Sequence, residues 1–154
     1  MGRLTLLLVL VGFLIAGEAR AHQGASGIVK ERMDAMSDIG RATKSVTAMA
    51  NGKTPLDIEV VRANGRRIAT HAARVTHLFP DTAASRKGKH TEAKSSIWTE
   101  WDAFERLNAT LQEQAKALAD FPKQGDRRTL KLRQRDLTAT CRECHKRFRA
   151  KKHR

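Results

Sequence analysis

The chain has 154 residues, 40% of them hydrophobic and 30% charged. That allows one domain with one sizeable core, and it excludes both a disordered chain and a polytopic membrane protein. There is no Tyr, and only 5 Phe, 2 Trp and 3 Pro, while helix-forming Ala, Leu, Lys and Arg abound, so helix is favoured over a β-sandwich or barrel. Two Cys cannot make a multi-disulfide scaffold, and a formal charge of +14 points to acidic partners without naming their class.

Residues Met1–Ala21 read as a cleaved secretory signal, leaving 22–154 as the single domain. Arg3 supplies the positive start, Leu4 to Ile15 is an apolar run broken only by Thr5 and Gly12, and Ala19-Arg20-Ala21 fits the small-x-small cleavage rule. The run is shorter than the ~20 residues a spanning helix needs, so no membrane span is expected after cleavage. The mature domain is expected in the periplasm, where thiols are oxidised or otherwise occupied. Losing Arg3, Glu18 and Arg20 lowers the net charge by one.

Four amphipathic patterns follow, and no segment alternates with period two over a useful length. The first covers Gly27–Ala50, with Val29, Arg32, Met36, Ile39, Thr43, Val46 and Ala50 on one stripe and Asn51-Gly52 as its stop. The second begins at Thr54-Pro55, a cap followed by a residue suited to the first turn, and carries Val61, Gly65, Ile68, Ala72, Val75 and Phe79 to a stop at Pro80. A polar, basic stretch from Asp81 to Lys94 reads as a mobile loop. The third pattern starts near Ser95-Ser96 and buries Ile97, Trp101, Phe104, Leu111, Ala115 and Leu118. Asp126 caps the fourth, which sets Leu130, Leu137, Cys141, Cys144 and Phe148 on one face. The expected fold is all-α, an antiparallel up-down-up-down four-helix bundle.

One motif carries chemistry. Cys141-Arg142-Glu143-Cys144-His145 is C-x-x-C-H, the signature of covalent c-type haem attachment. Residues three apart share a helix face, so two thiols can reach two vinyl groups on one side of a porphyrin while His145 reaches the iron. A short disulfide, a thiol-redox pair and a zinc site are the alternatives. They are weakened in turn by the small loop, by the missing βαβ context and by the missing second ligand pair.

A four-helix bundle with this motif near its C-terminus resembles the class II cytochromes c, the cytochrome c′ family. Phe148 and Arg149 stand where that family has an aromatic and an Arg after the motif. Ile28-Val29-Lys30-Glu31-Arg32 leads to Met36 as its first helix leads to the distal position, and Leu78-Phe79-Pro80 and Ile97-Trp98 also match. The resemblance implies one covalent haem c tethered by Cys141 and Cys144, with His145 as iron ligand and Arg32 as partner of a haem propionate. It further implies an apolar distal residue over five-coordinate iron in the high-spin members, or a ligating Met in the low-spin branch. Met36 at that position points to the low-spin branch, with Met33 as backup and His71 and His77 as lesser candidates. The expected role is a periplasmic carrier of one electron at a His/Met haem, with no catalytic residue. The alternative is a five-coordinate cytochrome c′ that binds NO or CO. Acidic redox proteins are the expected partners, with the basic tail Lys146–Arg154 near the haem as a docking element. A homodimer through the first two helices is possible by the same resemblance. Nucleic-acid binding ranks low, because export removes the target and the charge reads as spread over all four helices and both loops.

Overall fold

The computed structural model describes residues 25–150; the expected signal Met1–Ala21 lies outside them. Six α-helices follow in order: α1 Gly27–Ala50, α2 Ile58–Ala72, α3 Ala83–Lys87, α4 Ser96–Thr99, α5 Trp101–Ala119 and α6 Arg127–Phe148, with a single 3-10 turn at Thr76–Leu78. The described residues contain no strand, only an isolated bridge between Ala93 and Arg149. The four long helices make the expected bundle, and the short ones belong to the connection between α2 and α5.

The ends of α1 fall where the sequence puts them. The N–H of Asn51 closes the last turn on Thr47 O at 3.0 Å, and Gly52 follows at φ +73°, a conformation that costs glycine nothing. The start of α2 differs from the Thr54-Pro55 expectation. Asp57 is the cap, its carboxylate accepting from Val60 N at 3.0 Å, and the helix begins at Ile58. A carboxylate satisfies an orphan N–H and also faces the positive helix end, so it outcompetes the upstream Thr. Asp57→Ala is expected to cost about 1 kcal/mol, read as a lower urea midpoint with an unchanged slope. Helix α2 also stops at Ala72 and gives way to the 3-10 turn, short of Phe79. At α6, Asp126 caps as expected, accepting from Thr129 N at 2.7 Å.

Side-chain ties fix the ring order α1–α2–α5–α6 and its antiparallel sense. Asn64 donates to Ser45 and His71 pairs with Asp38 across α1 and α2. Arg133 donates to Ala117 O at the end of α5, and Arg147 pairs with Glu100 at its start, across α5 and α6. Gln134 donates to Thr47 Oγ1 at 2.9 Å, and Arg127 donates to Met49 O, across α6 and α1. Helices α2 and α5 approach most closely at Gly65, where a Cβ would lie 2.3 Å from Ala119 N. Glycine is required there by backbone proximity, which offsets its poor helix propensity.

The core joins all four helices through Ile39, Val46, Val61, Ile68, Leu118 and Leu137, each 5% exposed or less. Along α1 the buried stripe includes Ala35, Ala42 and Met49, while Met36 and Thr43 are only half-buried. The segment expected to be a mobile loop is tied down. Thr82 caps α3, and Ser85 inside it is fully buried.

Candidate functional site

Cys141 and Cys144 lie one turn apart on α6, both half-buried and both packed against the hydrophobic core. Their thiols are free, so the disulfide alternative is not realised in this structure. Burial pushes both thiols up, Cys144 to about 11 with Cys141 and Glu143 adding to the effect. A thiol held that high is a poor nucleophile at neutral pH, which weighs against the thiol-redox reading. Among the described residues no group of three or more His, Cys, Asp or Glu is placed to hold a metal ion, which removes the support for zinc. His145 is exposed on the outer side of the same turn. Desolvation lowers its pKa, Arg149 adds to this and Glu92 opposes it.

The tie between Gln134 and Thr47 sets the register of α6 against α1. His145 lies eleven residues beyond Gln134, and Met36 lies eleven before Thr47. The helices are antiparallel, so at ~1.5 Å per residue both stand at the same level of the bundle. Met36 packs there against the core, partly buried. Met33 is also half-buried one turn away, whereas Met49 is buried at the opposite end of α1.

The residues fit a planar, covalently tethered group in kind and in place. Two thiols packed against the core and an imidazole on the exposed side occupy one stretch of a single helix. The ties of Arg133 to Ala117 and of Arg147 to Glu100 put Asn108 of α5 near the level of Cys141 and Arg142. Asn108 is 6% exposed, and its Oδ1 has no hydrogen-bond partner in the protein; nor has the buried Oγ1 of Thr43 on α1. Buried acceptors are seldom left alone, so the interior at this level retains polar capacity that the protein does not use.

Arg32 sits one turn before Met36 and is 6% exposed. Its Nε and one Nη donate to Leu78 O at 3.1 and 2.9 Å, and its remaining donors reach Ser85 Oγ at 2.7 Å, Thr91 Oγ1 at 3.1 Å and Ser85 O at 3.4 Å. The guanidinium stacks 3.9 Å from the centre of the Phe79 ring. Burial lowers its pKa to about 10, so it stays charged at neutral pH. Nothing local in the sequence marks Ser85 or Thr91 as partners more than fifty residues away.

A second unforeseen feature is a clasp on the end of α6. Lys94 N donates to Phe148 O at 2.9 Å and Ala150 N to Glu92 O at 2.8 Å. Arg149 pairs with Glu92 at 2.6 Å, and Arg147 with Glu100. The chain immediately after His145 is thereby fixed to the α3–α4 connection. Phe148 is buried edge-to-face on Phe104, 5.4 Å between ring centres, and Phe104 meets Phe79 at 4.9 Å. Trp98 donates to Phe79 O and Trp101 lies 5.4 Å from Phe104, so both indoles are accounted for by packing. His71 faces Asp38 of α1 at 3.2 Å, and His77 is exposed on the 3-10 turn.

A family model described as Cytochrome C' matches residues 27–149. The chain is 31% identical over 143 residues to the cytochrome c' of Rhodopseudomonas palustris, covering 93% of this chain and 94% of that protein. It is 32% identical over 128 residues to a cytochrome c-556 of Agrobacterium tumefaciens, covering 82% of this chain and all of the relative. Among solved structures, the cytochrome c' of R. palustris matches with a TM-score of 0.74 at 30% identity, over 83% of this chain and 99% of that one. The likenesses span nearly the whole described domain. None of them singles out the low-spin Met/His branch to which Met36 pointed.

Proposed function

We propose, because the chain belongs to the cytochrome c′ family, that Cys141 and Cys144 tether its haem c, that His145 ligates the iron, and that the opposite face binds a small neutral gas such as NO or CO. This reverses the order of the two readings drawn from the sequence, since the relatives support a cytochrome c′ and lend nothing to six-coordination by Met36. When bound, the haem supplies an iron that takes up a diatomic ligand or exchanges one electron.

The observation that carries the proposal is the register of α1 and α6, which sets apolar Met36 level with His145. The side chain at that level brings no charge and no hydrogen-bond donor, which favours a neutral diatomic over an anion. The donors of Arg32 are taken up by Leu78, Ser85 and Thr91. Arg32 is also the proposed partner of a propionate, a role that requires it to release its longest bond, the 3.4 Å contact with Ser85 O. The clasp from Glu92 and Glu100 restrains the helix end beyond His145 and so holds the imidazole's backbone in place. The protein is proposed to act in the periplasm after loss of Met1–Ala21; no helix among the described residues is long and apolar enough to cross a membrane.

The same register favours one second reading. A Met36 thioether at the level of His145 is a candidate axial ligand, and a His/Met pair suits a carrier that passes one electron to an acidic redox protein. Absorption spectra in both oxidation states, with and without CO, separate the two. The expected result is a high-spin ferrous protein that takes up CO, with Met36→Leu leaving the spin state unchanged. A low-spin protein that refuses CO until Met36 is replaced by Leu transfers the assignment to the carrier. The substitution keeps volume and is expected to cost less than ~1.5 kcal/mol of stability, so either outcome is readable.

A further inference from the structure

The positive charge is not spread evenly, contrary to the expectation from sequence. Helix α1 sets Lys30, Arg32, Arg41 and Lys44 against Glu31, Asp34 and Asp38, and α5 has more acid than base, with Asp102, Glu105 and Glu113 against Arg106 and Lys116. Helix α6 carries Arg127, Arg128, Lys131, Arg133, Arg135, Arg142, Lys146 and Arg147 against only Asp136 and Glu143. Six of these are exposed: Arg147, which pairs with Glu100, and a row made by Arg128, Lys131, Arg135, Arg142 and Lys146. The spacing of the row, three, four, seven and four residues, holds its five members within a sector of about 60° at 100° per residue, over ~27 Å of helix. Arg135 has a solvent-exposed pairing with its neighbour Asp136, and the other four have no ion-pair partner among the described residues. Leu132, 48% exposed, stands beside the row.

We infer that this outer face of α6 is a binding surface for anionic phospholipid membranes. A long row of one sign on a convex helix suits a plane of anionic headgroups, which requires no matching shape. A protein interface is a poorer fit. Interface centres are depleted in Lys and rely on aromatic anchors in pockets, and this face has no aromatic residue and one exposed Leu. The attraction is that of a juxtamembrane polybasic segment, here displayed on a folded helix, and Leu132 adds a small apolar contact. Because α6 also carries Cys141, Cys144 and His145, docking by this face lays the motif-bearing helix along the membrane. The inference does not depend on which ligand Met36 faces.

The test uses the full mature, haem-loaded protein and co-sedimentation with vesicles. Binding is expected to mixed phosphatidylglycerol and phosphatidylcholine vesicles at low salt, and not to pure phosphatidylcholine. It is expected to fade as the Debye length falls from ~10 Å at 0.1 M to ~3 Å at 1 M salt. Arg128→Gln with Lys131→Gln, remote from the haem motif, is expected to weaken partitioning roughly 25-fold, about fivefold per charge. Arg66→Gln with Arg67→Gln removes the same charge from exposed positions on α2 and is expected to change it by less than about threefold, because those charges lie off the membrane-facing row. Equal losses in the two pairs would make this an effect of net charge and overturn the assignment. So would no binding to the anionic vesicles. Tighter capture of soluble poly-glutamate through Arg128 and Lys131 would reassign the face to an acidic protein.

Discussion

Replacing Cys141 and Cys144 together by Ala is expected to leave no haem-staining band after denaturing electrophoresis, while each single replacement leaves one thioether and a weakened band. The reasoning is chemical. A covalent tether that survives denaturation needs a thiol to add across a vinyl group, and Cys141 and Cys144 are the only thiols in the chain. Ala is a good helix former, so α6 retains its intrinsic propensity. Any large loss of helicity in the double variant then measures how much the tethered group contributes to the core around Phe104, Leu137 and Phe148. A double variant that still carries haem through denaturation would remove the tether assignment, and one that folds as cooperatively as the parent would show that the bundle does not need the group as a filler.

Arg32→Leu is expected to lose about 2–4 kcal/mol, because the carbonyl of Leu78 and both oxygens of Ser85 are left with unmade hydrogen bonds, and each buried unsatisfied group costs about 1–3 kcal/mol. Regaining the solvation of a guanidinium that burial disfavours, visible in its lowered pKa, offsets part of this loss. The damage should be local. The α3 segment is held to α1 by Arg32, so limited proteolysis near Ala83–Lys87 should accelerate before the global urea midpoint explains it. Arg32→Lys should behave nearly as badly, since one ammonium cannot reach four acceptors or stack on Phe79 as a planar fork does. Stability within 0.5 kcal/mol of the parent, a threshold on the order of an ordinary surface substitution, would mean that the loop carries its own partners.

Much of the architecture was legible from local pattern. The limits of α1, the Asp126 cap and the absence of strands follow from periodicity and capping chemistry, which act over one or two turns. The cofactor class was legible too, because C-x-x-C-H compresses the attachment chemistry into five consecutive residues. Where the local signals competed, the reading slipped. Thr54 and Asp57 both offer a cap, and the carboxylate of Asp57 takes the position by accepting from Val60 N. Met36 and Thr43 share a stripe with Ile39 and Val46, but the way α1 is rotated against its neighbours buries Ala35, Ala42 and Met49 more deeply.

The sequence by itself determined which long helices form, which residues can tether a haem, that the chain is basic and that its charge gathers in a row on α6, since each of these depends on residues close together along the chain. The tertiary structure decided what depends on distant segments meeting. It placed Met36 level with His145 through the bond from Gln134 to Thr47, gave Arg32 its partners in Leu78, Ser85 and Thr91, and clasped the end of α6 with Glu92 and Glu100. The physical reason is the same in each case. A hydrogen bond or an ion pair between segments more than forty residues apart leaves no periodic trace in either segment, and it appears only once burial of the apolar stripes has fixed how the helices turn toward one another.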